Sequence, residues 1–441
     1  MFPDPNSRSA ALFQRAQAVM PGGNTRLQVH FPPHALYVAE GKGCWVTDVD
    51  GKRYRDFINN YMTLIHGHAH REVVEALRAQ ALKGTCFAFP TESELALAEI
   101  LCGRVESFDQ IRFCNSGSEA VMFAIKAARA KTGRPMIAKC EGAYHGAYDP
   151  VEVSFETGPE SWGNQPARVP YSQGTPAKVM EDVVVIPFNR AEESLSIMEG
   201  QAENLAAILV DPLPPRVGFI QAQQSYLQTL RSFADKHGIV LIFDEVACFR
   251  CGYGGMQGEV GVRPDLTTLG KIIGGGLPIG AVAGSREAMA VFDPSQGKPA
   301  APHSGTFVAN PMTMVAGAAA MTLLTPEALT RLSDLGARLQ AGVAEAFTEA
   351  GTPGQVSGYG SLWKLNLNTR SYSDFRSIYA DADERARLSD LYLRLLNHAI
   401  MMGSTGLIAL STAMEEADID AFVEALAASL IAARDGQPVA A

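Results

Sequence analysis

The sequence predicts an α/β protein whose mostly parallel sheet is joined by a smaller α+β domain assembled from both chain ends. Three observations predict it. From about residue 57 to 320, short apolar runs alternate with helix-like stretches, the pattern of a sheet covered by helices on both faces. Within that span, Ile239-Val240-Leu241-Ile242-Phe243 is apolar without alternation, as a parallel strand buried on both faces requires. Outside it the chain changes character, with extended pieces in the first 56 residues and amphipathic periods at 327–350, 384–399 and 416–433. The expected division is 1–56 and 321–441 for the smaller domain and 57–320 for the larger.

Near the start, Met20-Pro21-Gly22-Gly23-Asn24-Thr25-Arg26 places Arg26 after a Pro-Gly-Gly turn and before a strand-like segment, and so on a fixed loop. Ala35–Val38 and Cys44–Asp48 read as extended, and Asp50-Gly51 reads as a hairpin turn. Tyr61, in Asn59-Asn60-Tyr61-Met62-Thr63, is either a pocket residue or plain core.

Gln110-Ile111-Arg112-Phe113-Cys114 reads as a strand that runs into Asn115-Ser116-Gly117-Ser118-Glu119-Ala120 and a helix from Val121 to about Lys131. A strand, a small-residue turn and a helix start suit a phosphate, because N–H groups and the helix dipole face the anion there. An ordinary capping turn has the same composition, so these residues alone leave both readings open. After the strand Met136–Lys139 comes Glu141-Gly142-Ala143-Tyr144-His145-Gly146-Ala147-Tyr148, an irregular loop. Tyr144 could stack on a planar ligand or fill the core, and His145 could assist proton transfer or be structural.

Asp244 closes the apolar run at 239–243, at the strand end where open α/β sheets place ligands. Lys271 follows 27 residues later in Gly270-Lys271-Ile272-Ile273-Gly274-Gly275-Gly276, too glycine-rich for a helix interior and open to close backbone approach. A lysine paired with a strand-end aspartate suits pyridoxal 5'-phosphate, which needs a lysine Schiff base and an acid at its ring nitrogen. Gly360–Leu367 then alternates like a strand.

Asn115–Ala120, Tyr144-His145-Gly146, Asp244-Glu245-Val246, Gly270-Lys271 and Gly305-Thr306 together resemble the class III aminotransferases, pyridoxal-phosphate enzymes of fold type I. The motifs stand in the family's order, and the resemblance spans about Met20 to Asp420. The opening Met20–Arg26 and His303-Ser304-Gly305-Thr306-Phe307 look like the branch holding glutamate-1-semialdehyde aminomutase and the β-amino-acid (β-phenylalanine) aminotransferases. The resemblance implies that Lys271 carries the cofactor and shuttles the substrate proton, while Asp244 keeps the ring nitrogen protonated. It also implies that Tyr144 and Val246 cover the two ring faces, and that Ser116, Gly117 and Ser118 bind the phosphate. Thr306 would join them from a neighbouring subunit, making a homodimer with shared active sites. Arg26 would bind a substrate carboxylate, with Tyr61 a weaker pocket candidate.

Three departures stand out. The related β-phenylalanine enzymes carry a second arginine in a C-terminal loop, where Met402–Leu407 here offers Thr405. The chain then relies on Arg26 alone or accepts amines without a carboxylate. Asp211-Pro212-Leu213-Pro214-Pro215 stands where the family has Glu-Pro and a different loop, and Ser118 replaces a commoner threonine. The expected activity is a ping-pong transfer from a β-amino acid or primary amine to a keto acid or aldehyde. An aminomutase is the alternative, with glycines at Thr157-Gly158-Pro159 and Trp162-Gly163-Asn164 permitting a lid. A non-catalytic member of the fold is a third, disfavoured because Lys271 and Asp244 are both kept.

A chain of 441 residues, 47% hydrophobic, can bury a large core. Its net charge of −10 disfavours nucleic acid as a partner. The start Met1–Arg8 lacks signal-peptide character, and no apolar run approaches the ~20 residues of a membrane span. A cytoplasmic protein without membrane partners is expected. Seven scattered cysteines, including the lone pair Cys248 and Cys251, point to neither a disulfide framework nor a metal site.

Overall fold

The computed structural model describes residues 2–438. It divides into two units, residues 71–329 with 370–379, and residues 1–70 with 330–369 and 380–441. The boundaries differ from those expected at 56/57 and 320/321. Val38–Asp56 continues without a compositional break to His70, and the later boundary falls inside the helix Pro326–Ala350, where the sequence has nothing to mark it. Met1 and Val439–Ala441, the outermost residues of the predicted smaller domain, lie outside the described residues.

The larger unit is built on seven strands: β1 (Gln110–Cys114), β2 (Met136–Cys140), β3 (Val183–Ile186), β4 (Leu205–Val210), β5 (Val240–Asp244), β6 (Leu266–Gly270) and β7 (Gly280–Gly284). Their order is β1-β7-β6-β5-β4-β2-β3. All neighbours are parallel except at β7, which runs against both β1 and β6. Every residue of β2 to β7 is buried, which explains why the strands read as apolar runs rather than alternating ones. The helix α1 (Gly117–Thr132) follows β1. It starts four residues earlier than the helix-forming residues suggest, because Ser116 caps it by accepting a bond from the Glu119 N–H at 3.2 Å. Gly133, at φ 70°, ends it in the left-handed conformation.

The smaller unit holds a sheet of Val38–Lys42, Trp45–Asp48 and Arg53–Asp56, to which Ile400–Met401 adds in parallel from the chain's far end. The predicted hairpin turns at Gly51, φ 88°. Gln355–Tyr359, Leu362–Asn366 and Leu407–Ala409 form a second sheet. Helices Ala382–Asn397 and Glu416–Arg434 complete it, and Arg55 Nε pairs with Asp418 Oδ1 at 2.8 Å. The segment after Arg26 is a 3-10 turn, Leu27–Val29, rather than a strand. Its three residues close onto themselves through the His30 N–H to the Leu27 carbonyl, 3.0 Å.

Candidate active site

The C-terminal ends of neighbouring strands in the larger unit supply the site, the position open α/β sheets use for ligands. Asp244 ends β5 and is 4% exposed. Its Oδ1 accepts from Thr268 Oγ1 at 2.9 Å, across the β5–β6 pairing, and from the Val246 N–H at 3.1 Å. Its Oδ2 faces Nδ1 of His145 at 2.7 Å. His145 is buried, and burial pushes its imidazole below the usual value. A neutral ring then donates from Nδ1, which fixes the orientation of the carboxylate. His145 Nε2 is buried without a partner.

Lys271 begins a 3-10 turn directly after β6 and has φ 48° itself, a conformation that glycine adopts freely and lysine does not. The turn is held by buried Ile272 and Ile273, and Gly275 at φ 58° closes it. Burial pushes the Lys271 ammonium below lysine's ordinary value, while the charges of Asp244 and Asp211 pull it back up. Asp211, 4% exposed after the end of β4, is itself pushed well above the carboxylate range by burial and by the charge of Asp244. A poised amine among buried acids is the arrangement proton transfer at a carbon requires.

The turn before α1 closes on the same centre. A Cβ on Gly117 would lie 2.7 Å from Val246 Cγ1, and one on Gly270 3.2 Å from the same atom, so neither position admits a side chain without displacement. The Gly117 and Ser118 N–H groups belong to the first turn of a 16-residue helix and have no intrahelical acceptor. Ser118 Oγ accepts the Ala147 N–H at 3.0 Å, and Gly146, φ 90°, approaches so closely that a Cβ would sit 2.4 Å from Ser118 Oγ. That contact ties the Tyr144 loop to the helix start. Tyr144 is 45% exposed and packs on Phe155, with ring centroids 5.2 Å apart and planes tilted by 56°.

Lys271, Asp244, Ser116, Gly117, Ser118, Tyr144 and Val246 are therefore brought to one strand-end region. Thr306 is exposed, on the turn 306–309. Arg26 and Tyr61 belong to the smaller unit. There Arg26 Nη1 donates to Asn60 Oδ1 at 2.7 Å, and the Tyr61 hydroxyl donates to the Gln28 carbonyl at 3.2 Å. Asn59, Asn60, Tyr61 and Met62 all have positive φ, between 48° and 75°. A left-handed turn of four non-glycine residues costs about 1–2 kcal/mol per residue. Asp56 Oδ1 helps hold it in place by accepting the Ile58 and Asn59 N–H groups at 2.8 and 2.9 Å. Sequence reasoning assigns no role to Thr268 or Asn60, marks Asp211 only as a departure from the family pattern, and leaves His145 undecided; Asn59-Asn60 was a visible signal, since asparagine tolerates positive φ.

The segment offered as a lid is fastened. Arg376 bonds both oxygens of buried Glu141, Nε–Oε2 2.7 Å and Nη2–Oε1 3.1 Å, and its Nη1 donates to the Gly163 carbonyl at 2.8 Å. Trp162 Nε1 donates to Thr157 Oγ1 at 3.1 Å. Cys248 and Cys251 are buried in a 3-10 turn, and burial pushes the Cys248 thiol far above its usual value, which keeps it unreactive. Among the described residues, no cluster of three or more His, Cys, Asp or Glu side chains could hold a metal.

An anion cradle at a helix start, a strand-end carboxylate and a poised lysine fit pyridoxal phosphate, and they define a fold type I enzyme using that cofactor. The family model for aminotransferase class-III matches residues 28–430, so the chain belongs to the class III, pyridoxal-phosphate-dependent aminotransferases. The structure is similar to an omega-transaminase from Sphaerobacter thermophilus, 50% identical over 98% of this chain and 99% of that one, with a TM-score of 0.96. It is similar to a β-phenylalanine aminotransferase from Variovorax paradoxus, 34% identical over 99% and 96%, TM-score 0.88. A glutamate-1-semialdehyde 2,1-aminomutase from Methanothermobacter thermautotrophicus is 40% identical over 83% of this chain and 86% of its own length.

Proposed function

We propose that this aminotransferase takes its amino group from a β-amino acid, or a related primary amine, and passes it to a keto acid or aldehyde in two half-reactions. Arg26 carries the reading. It is exposed, and its one side-chain hydrogen bond among the described residues goes to Asn60, leaving donors for a carboxylate in bidentate geometry. The omega-transaminase and β-phenylalanine aminotransferase relatives support it.

Bound pyridoxal phosphate supplies an electron sink for the charge left when a proton leaves the carbon bearing nitrogen. Lys271 Nζ removes that proton and returns it, its basicity suited by burial. Asp244 holds a proton at the ring nitrogen, with His145 and Thr268 keeping its carboxylate in place. The Gly117 and Ser118 N–H groups and the Ser116 and Ser118 hydroxyls bind the phosphate, while Tyr144 and Val246 cover the ring. Tyr61 lines the donor side with Arg26.

The working unit is a homodimer in which Thr306 completes the partner's phosphate site. Leu82, Phe87, Phe89, Leu95 and Phe307 are exposed large apolar residues of the larger unit, 91%, 47%, 81%, 57% and 62% respectively, which a subunit interface would cover. Asn310 Nδ2 binds the Thr85 carbonyl at 3.0 Å, joining the Phe307 turn to the segment holding Phe87. Among the described residues no single helix is long and apolar enough to cross a membrane, and we place the enzyme in the cytoplasm.

The test is a half-reaction of the holoenzyme without acceptor, followed through its visible band. Conversion by β-phenylalanine but not by 1-phenylethylamine is the expected outcome and makes Arg26 the donor anchor. Conversion by the plain amine alone means donors without carboxylates. A spectrum unmoved by either sinks the proposal in favour of aminomutase chemistry, to which the 40% identical relative lends its name.

A further inference from the structure

The proposed donor and a keto-acid acceptor make unequal demands on one anchor. In a β-amino acid one more carbon separates the carboxylate from the amine-bearing carbon than separates it from the reacting carbonyl carbon of a 2-oxo acid. A single fixed guanidinium cannot meet both with the reacting carbon at the same place. The C-terminal loop offers Thr405 rather than a second arginine. The larger unit, however, contains an arginine with unspent donors beside the site.

Arg216 lies on a turn that leaves the end of β4, the strand paired with β5 and its Asp244. The loop is rigid. Pro214 and Pro215 start the turn, Pro215–Val217 is a 3-10 helix, and Gly218 at φ 74° closes it. Leu213, Val217 and Phe219 are buried beneath, and the Ala222 N–H returns to the Pro212 carbonyl at 2.8 Å. The guanidinium stacks over Phe155 at 4.5 Å, and Phe155 in turn packs on Tyr144 at 5.2 Å. Arg216 therefore stands one ring away from the tyrosine assigned to the cofactor. Its charge is poorly spent: Nε is buried with no partner, and Nη2 comes only within 3.7 Å of Glu156, whose side chain is 59% exposed. A half-buried guanidinium, its side chain 34% exposed and its buried Nε unpartnered, favours a planar anion that meets it in two places.

We infer that Arg216 is the specificity-determining anchor for the carboxylate of a 2-oxo acid acceptor, serving the second half-reaction as Arg26 serves the first. This rests on the aminotransfer reading above and adds the acceptor class and the residue that selects it. The loop departure at 211–215 acquires a purpose: two prolines in succession fix the direction in which Arg216 leaves the sheet.

The test loads the holoenzyme with an amino group from its donor, then mixes it with pyruvate or with benzaldehyde, an acceptor lacking a carboxylate. Arg216→Gln is expected to lower kcat/KM for pyruvate about 10- to 100-fold, the range for losing charge-assisted hydrogen bonds, and to leave benzaldehyde within about twofold. Arg216→Lys should recover part of the pyruvate activity, since it restores charge without the fork. Equal losses on both acceptors, or a displaced visible band before any substrate is added, overturn the assignment and make Arg216 a support for Tyr144 or the cofactor. A wild-type enzyme that takes benzaldehyde but ignores pyruvate also overturns it, while amino transfer stands. A wild type that takes neither overturns the aminotransfer reading and this subsite together.

Discussion

At Asn60 the backbone turns at φ 51°, inside a left-handed stretch that also holds Asn59, Tyr61 and Met62. Strain of this kind persists only where the surroundings over-determine it, and here it aims Oδ1 at Arg26. Asn60→Gly separates the two effects. Glycine accepts the φ at no steric cost, so the melting temperature should hold or rise. The Arg26 guanidinium loses its tether, and KM for a β-amino acid should rise about 3- to 10-fold while a plain amine is unaffected. Steady-state kinetics with both donors checks this, and an unmoved KM would show that Arg26 needs no help from Asn60. Lys271 and Asp244 could be singled out in the sequence because few residue types suit the work proposed for them, Asp244 closing an apolar strand-like run and Lys271 standing in a glycine-rich stretch. Their supports were not legible. His145 meets Asp244 across 99 residues and Arg376 meets Glu141 across 235, separations over which no local pattern carries information.

Among the elements, strand β2 carries an unusual burden. Lys139, the fourth of its five residues, has no exposed surface and donates to the Val153 carbonyl at 2.8 Å. Burial pushes it down to about 7, with the positive charge of Arg216 adding to the shift and Cys140 and Glu141 opposing it. An unfolded lysine titrates near ~10.4. Between those values the unfolded chain holds a proton that the folded chain lacks, so stability rises with pH across that window, by at most about 1.4 kcal/mol per pH unit. Below pH 7 both states are protonated and this slope vanishes. Lys139→Met, which keeps length without charge, should flatten the rise. Thermal melts of both proteins from pH 7 to 10 measure the difference; parallel curves would mean that Lys139 stays charged in the fold. The sequence placed this strand one residue short at its end but could not announce a buried cation, because a lysine within an apolar run has the same letters whether it points inward or out. The start of α1 was misplaced for a related reason: Gly117 and Ser118 are weak helix formers by propensity, and the cap at Ser116 overrides them.

At the scale of the whole molecule, the class of fold was visible because parallel, two-sided burial writes itself into long apolar runs. The division into units was not, because the chain crosses between them at 70/71, 329/330, 369/370 and 379/380 without a linker of distinctive composition. The short return of residues 370–379 has a consequence for how this protein can be taken apart. Within the larger unit that decapeptide is stitched in by Arg376 to Glu141 and by Asp374 to Arg190 Nε at 2.8 Å, with Phe375 pressed so close to Gly142 that a Cβ there would lie 2.0 Å away. A continuous fragment of residues 71–329 would expose the Phe375 slot and strand the Glu141 carboxylate without its counter-ion. Synthetic 370–379 should dock back into that fragment and raise its melting temperature, and the same peptide carrying Arg376→Ala should not. The decapeptide behaves as a detachable key, and whoever cuts this enzyme into pieces will need to supply it separately.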